Sequence, residues 1–230
     1  CLQKKLITTM QNLSSFDLYQ HILLTDFLRY FIAAGTAYLV FWVIFKKQWA
    51  HRIIQKKPLK TQQMWTEFGY SMSTVVIFTI IGFGIVSLKR AGFTLIYNDL
   101  AEYGWVWFFV SVSLMLLLHD AYFYWTHRLM HHPKIFRHVH LVHRRSTNPS
   151  PWAAYSFHPI EAVVEAGIFV LIVFTIPAHG LALLAFLVYM IARNVVGHLG
   201  IEILPKRFIQ NRWVNWHTTT THHDLHHKHF

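Results

Sequence analysis

Histidine is the residue whose number and spacing in this chain point to chemistry. There are eighteen, and sixteen fall at or after His119, in groups separated by tens of residues. His127 and His131 stand four apart, His140 and His143 three apart, and His223, His226 and His227 span five residues. Steps of three and four place side chains on one face of a helix, so each group is spaced to offer two or three imidazoles to one ion. Asn194 and His198 repeat the four-residue step. Neutral imidazole binds iron, zinc, copper and nickel, so ligand type alone leaves the metal open. The single cysteine, Cys1, excludes a disulfide framework and a thiolate site; metal chemistry must run through nitrogen and oxygen.

Other readings of histidine are weaker here. Isolated His21, His51 and His179 read as interfacial or surface residues and receive no function. The tail HHDLHH contains Asp224 and Leu225 and follows Trp213, Trp216 and a threonine run, unlike a purification tag. A bis-histidine haem site needs one pair on facing helices, whereas at least eight of these histidines lie beyond the ends of apolar spans.

Those spans follow from composition. The chain is 54% hydrophobic and 17% aromatic, with only 13% charged residues and a positive mean hydropathy. Soluble domains carry roughly a quarter charged residues, so water is the wrong solvent for this one. Charge-free runs at Tyr30 to Phe45 and Gly69 to Leu88 read as transmembrane helices. A third, Gly104 to Leu118, meets no breaker before His127 and continues as one helix. The fourth, Ala166 to Ala192, is interrupted by Pro177-Ala178-His179-Gly180, a turn signal that makes it a hairpin of two short helices. The net charge of +11 sits in short loops rather than in a stripe with interleaved aromatics, which argues for membrane topology and against nucleic acid. Lys46, Lys47, Arg52, Lys56, Lys57 and Lys60 put the first loop in the cytosol, and by parity the histidine groups share that side. The expected architecture is all-α: an integral membrane helical bundle with a cytosolic histidine-rich cap. Residues 1–118 supply the N-terminal spans and 119–230 the histidine-bearing region.

The stretches HDAYFYWTHRLMHH, HVHLVHRRSTNPSPWAAYSFHPIEA, GHLGIE and THHDLHH, in this order, resemble the sterol desaturase and fatty acid hydroxylase superfamily. Ser146 to Ala162 is most similar to its C-5 sterol desaturase branch. The resemblance covers about His119 to Phe230. It implies a non-haem di-iron centre facing the cytosol that activates O₂ with electrons from NAD(P)H through a cytochrome or ferredoxin partner, and that oxidises a membrane lipid. Carried onto this sequence, it implies the metal ligands His127, His131, His140, His143, His198, His223, His226 and His227. His132 is an alternative in the first box, and His158, His217 and His222 are held in reserve. It also implies supporting roles for Asp120, Glu161, Glu202 and Asp224, each able to accept a ring N–H from a ligand. Asn194 stands where some members carry another histidine.

Two departures from the family pattern carry expectations. Arg144 occupies the last position of a box that usually reads H-x-x-H-H, and a guanidinium is no ligand at neutral pH, so one metal is expected to be a ligand short. The sequence opens at Cys1 rather than methionine and stops right after the third box, which reads as a fragment or processed form. The function expected is O₂-dependent hydroxylation or desaturation of a lipid, sterol-like before fatty acyl. The competing expectation is a catalytically degenerate metal-binding protein or a metal transporter. Transport predicts ionisable residues at mid-membrane depth, against which the first two charge-free runs stand.

Overall fold

The computed structural model describes residues 13–213 and 218–229. Helix α1, Ser15–Tyr38, is capped by Ser14, whose Oγ accepts the backbone N–H of Asp17, and it continues as a π-helical turn, Leu39–Ile44. Then come α2, Thr61–Arg90, and α3, Gly104–Met130. Two short helices follow, α4, Pro133–Val139, and α5, Leu141–Arg144. The hairpin is α6, Pro159–Thr175, and α7, Gly180–Gly197; α8, Thr220–His229, comes last. Among the described residues, four helices, namely α1 with its extension, α2, α3 and α7, are long and apolar enough to cross a membrane. Phe31, Ile32, Ile80, Val106 and Leu117 stay exposed on their outer faces, as lipid contact allows. The molecule is an all-α, multi-pass membrane bundle.

The first span starts at Ser15, well before the expected Tyr30. Charged residues inside the helix account for the difference. Asp26 and Arg29 lie inside α1, one turn apart, and neutralise each other at 2.7 Å, so they do not end the helix. The hairpin turns where Pro177 requires it, and α3 runs unbroken past His127.

The two ends of the bundle are built differently. At one end, β1 (Ile96–Tyr97) pairs in parallel with β2 (Ala178–His179). His179 is buried there rather than at the surface: its Nε2 bonds the Asn98 carbonyl at 3.0 Å and its Nδ1 caps α7. At the other end the lysine-rich 45–60 segment lies on the histidine layer. Ile53 bridges to Ile201, the Arg52 guanidinium donates to the carbonyls of Glu202 and Ile203, and Gln55 donates to Thr147 O and Asp224 Oδ1. Beneath that layer a short 3₁₀-helical segment, Pro151–Tyr155, plugs the bundle. Backbone at such depth must find partners inside the protein. Tyr30 and Ser71 hydroxyls donate to Trp152 O, and the Asn194 amide donates to Ala154 O.

Candidate metal centre

Four places in the chain supply the histidine layer. The end of α3 carries His127 and, as its C-cap, His131. His140 closes α4 and opens α5, which carries His143; His198 caps the end of α7, and α8 brings His223, His226 and His227. The imidazoles fall into two sets of four. His127, His131, His140 and His226 form one; His143, His198, His223 and His227 form the other; within each set the candidate ligand atoms lie within 4.8 Å of one another. Rings of the two sets adjoin, with centroids 5.5 Å apart for His140 and His143.

Only the first box gives both of its histidines to one set. The second splits His140 from His143, and the third splits His226 from its neighbours. Helical geometry accounts for the second split: at about 100° per residue, His227 stays close to the direction of His223 four residues earlier, while adjacent His226 points about 100° away, toward α3. Four imidazoles in each set also leave no deficit opposite Arg144. That side chain is buried and donates from Nη2 to the backbone carbonyl of His226, fastening α8 to α5.

The partners of the outward ring nitrogens fix which inward nitrogens carry lone pairs. His140 Nδ1 lies 2.7 Å from Glu161 Oε1, His143 Nδ1 3.1 Å from Ser156 O, and His198 Nδ1 2.8 Å from Asn194 O. A carbonyl can only accept, so in His143 and His198 the Nδ1 carries the proton and Nε2 is left with its lone pair. Across set two, Nε2 atoms stand 3.3 Å apart for His143 and His198, 2.9 Å for His198 and His223, and 3.2 Å for His223 and His227. In set one His127 and His226 approach to 3.2 Å, and His140 Nε2 is buried with no hydrogen-bond partner. The lone pairs of His143 and His198 face each other, an arrangement that a cation between them satisfies. Protons are poor candidates: burial, then the neighbouring imidazoles and Arg144, pull His140 down to about 2, while burial, Arg144 and its neighbours pull His226 to about 3. Burial brings His198 to about 4 and, with the surrounding imidazoles, holds His143, His223 and His227 well below the usual histidine range. Nitrogens each about 2.1 Å from one ion stand roughly 3 to 3.4 Å apart, so the spacing fits a first-row transition metal.

Among the described residues, Glu161 is the expected supporting residue whose side chain meets an imidazole of either set. Asp120 is largely exposed and meets His119 at 3.4 Å instead of a member of either set. Its position one residue after His119 turns it outward on α3. Glu202 caps α8: its Oε2 accepts from Thr221 N and Oγ1 at 3.0 and 2.7 Å. Asn194 works through its backbone carbonyl on His198, and Asp224 accepts from Gln55 at 2.9 Å. Among the reserve residues, His132 and His158 accept backbone N–H groups as the caps of α4 and α6, each followed by proline at the first helical position. His222 accepts from Thr219 N at 3.5 Å, and His217 lies outside the described residues, as does Cys1. The His-Pro pairs were the signal that could have marked two of these as caps. Gln55, by contrast, gave none.

Below the layer is a cavity of about 420 Å³, walled by apolar residues of α1, α2, α6 and α7. Tyr155 and Phe157 line it, and the Phe157 ring lies 5.1 Å from that of His143. It thus reaches from the interior of the bundle to the underside of set two.

A helical membrane bundle with paired imidazole sets above an apolar cavity defines a class of membrane protein built for metal chemistry beside lipid. The sequence profile described as Fatty acid hydroxylase matches residues 112–230, more than half of the chain, which therefore belongs to the fatty acid hydroxylase family. Its relatives include the Delta(7)-sterol 5(6)-desaturase ERG3B of Gibberella zeae, 28% identical over 93% of this chain and 65% of that protein. A second, the Delta(7)-sterol 5(6)-desaturase erg3C of Aspergillus fumigatus, is 33% identical over 45% of this chain and 32% of its own length. The lathosterol oxidase of Homo sapiens is 24% identical over 88% of this chain and 64% of its own. The chain thus spans between about a third and two thirds of these relatives. No solved structure matches it.

Proposed function

We propose that this chain is the histidine-bearing core of an O₂-dependent, non-haem di-iron oxidoreductase that hydroxylates or desaturates a membrane lipid, a sterol-like one before a fatty acyl chain. Its iron ligands are His127, His131, His140 and His226 in one set and His143, His198, His223 and His227 in the other. The observation that carries this reading is the placement of eight imidazoles, in two sets of four, at the roof of an apolar cavity inside a membrane bundle. The relatives' names, sterol desaturases and lathosterol oxidases, support the substrate class.

Iron held there supplies what no side chain can, an oxidant able to take hydrogen from an unactivated C–H bond. The protein contributes geometry and dryness. Glu161 and the carbonyls of Ser156 and Asn194 hold three imidazoles by their Nδ1 atoms, so that each aims its Nε2 inward. Tyr155 and Phe157 line the cavity on the side of the histidine layer and make the approach to set two apolar, which disfavours bulk water beside the reacting carbon. Electrons come from NAD(P)H through a cytochrome or ferredoxin that docks on the cytosolic side, with the Lys46–Lys60 segment. The test is mass spectrometry of lipids after incubation of iron-loaded, full-length protein with a reductase system and O₂. Gain of one oxygen marks hydroxylation, and loss of two hydrogens marks desaturation. No change across sterols, acyl chains and alkylglycerols would leave a degenerate metal protein as the better reading.

A further inference from the structure

The cavity is apolar except for a few side chains, and most of those are already engaged. Deep in the bundle Asp26 pairs with Arg29 at 2.7 Å, and Asn194 donates its amide to Ala154 O. Glu165 differs. It is partly buried on α6 and lines the cavity, and its carboxyl has no hydrogen-bond or ion-pair partner among the described residues. An ionisable group in a bilayer interior is costly and marks function more often than structure.

Its height is set by the helix. Glu165 follows Glu161 by four residues on α6, so it sits one turn, about 6 Å, beneath the carboxyl that holds His140. Asn194 occupies the corresponding level on α7, one turn beneath His198. A group bound at Glu165 is therefore held about one helical turn under the histidine layer, with apolar wall around the rest of the molecule.

We propose that Glu165 binds a hydroxyl group of the lipid in this cavity and so fixes which carbons, a few bonds from that hydroxyl, lie under the histidine sets. The inference rests on the cavity being the lipid site, as proposed above. A carboxyl suits a hydroxyl because the pair can exchange donor and acceptor roles, whereas a carboxylate or phosphate head group meets repulsion. The neutral hydroxyl also lets the hydrocarbon remainder stay in apolar surroundings. Glu165 is a positioning residue and transfers no group.

Binding tests this without turnover. The protein in detergent micelles is titrated with a Δ7-sterol carrying a free 3-hydroxyl and with its 3-O-methyl ether, the metal content being the same in both titrations. One buried hydrogen bond corresponds to about tenfold, so the free sterol is expected to bind about ten times more tightly to the unaltered protein. Glu165→Leu is expected to erase that preference while leaving ether binding intact, and Glu165→Gln, which still donates and accepts, to keep most of it. Equal affinity of sterol and ether for the unaltered protein, or no binding of either, overturns the proposal even if the leucine variant does not fold. A preference that survives in a folded Glu165→Leu variant overturns it as well. Hydroxyl-dependent binding without any lipid oxidation would instead count against the oxidase reading and leave Glu165 in place.

Discussion

The two imidazole sets contain the same four side chains but are supported differently. In the first, three of four rings are partly exposed, and its buried member, His140, is backed by the carboxyl of Glu161. In the second, three of four are buried, and the backing comes from neutral carbonyls of Ser156 and Asn194. A carboxylate raises the basicity of the imidazole it holds, while a carbonyl mainly fixes its orientation. The difference teaches that the first set is the more solvent-accessible and is backed by a carboxyl, and the second is enclosed and backed by backbone carbonyls.

Removing a ligand from the shielded set should have the largest effect. His143→Ala is expected to empty the second set and to lower protein stability, because the cavity left behind is fully enclosed; metal analysis by mass spectrometry together with a thermal melt reads both. His226→Ala should halve the metal content and leave the second ion in place. Equal losses of thermal stability in the two variants would dissolve the distinction, and unchanged metal in both would remove the ligand assignment. Next in size, Glu161→Gln should weaken metal binding at the first set by about 10- to 100-fold, as a chelator titration would record, and leave the second set's ion unaffected.

Acid sharpens the comparison through the metal-free protein. His140, His198 and His226 are pulled to about 2, 4 and 3, below the free value near 6.5. As pH falls through 6.5 the unfolded chain takes up protons that these folded residues refuse, so stability drops from about pH 6.5 downward, by about 1.4 kcal/mol per pH unit for each of the buried His140 and His198 and by less for the partly exposed His226. The melting temperature of metal-free protein should fall steadily between pH 7 and 4, whereas the metal-loaded form should resist until protons displace the ions. A flat profile for the metal-free form contradicts the buried, neutral imidazoles. The smallest effect is expected from Arg144→His. With four imidazoles already in each set, it should not raise metal content, and it removes the contact with the His226 carbonyl. A clear rise in occupancy would show that the first set is short of a ligand after all.

Much of this was legible in the sequence because it depended on local periodicity. The unbroken run into His127, the turn at Pro177 and the grouping of histidines at span ends all follow from spacing and breakers. The division into two sets was not legible, since it depends on where α8 docks and on the 100° that separates His226 from His227. The roles of Asp120 and Glu202 also depended on docking. Each is a carboxylate near a histidine in sequence, yet one faces outward and the other caps the helix that brings three imidazoles to the layer. The start of α1 was hidden for another reason: an ion pair inside a helix looks, residue by residue, like the end of a span.

Iron stoichiometry in full-length protein, purified without oxygen and loaded with ferrous ion, tests the central claim most directly. Two irons per chain are expected, one lost in His226→Ala with the other retained. One iron or fewer with all eight histidines intact, or two that persist when His143 and His226 are both replaced, would contradict it.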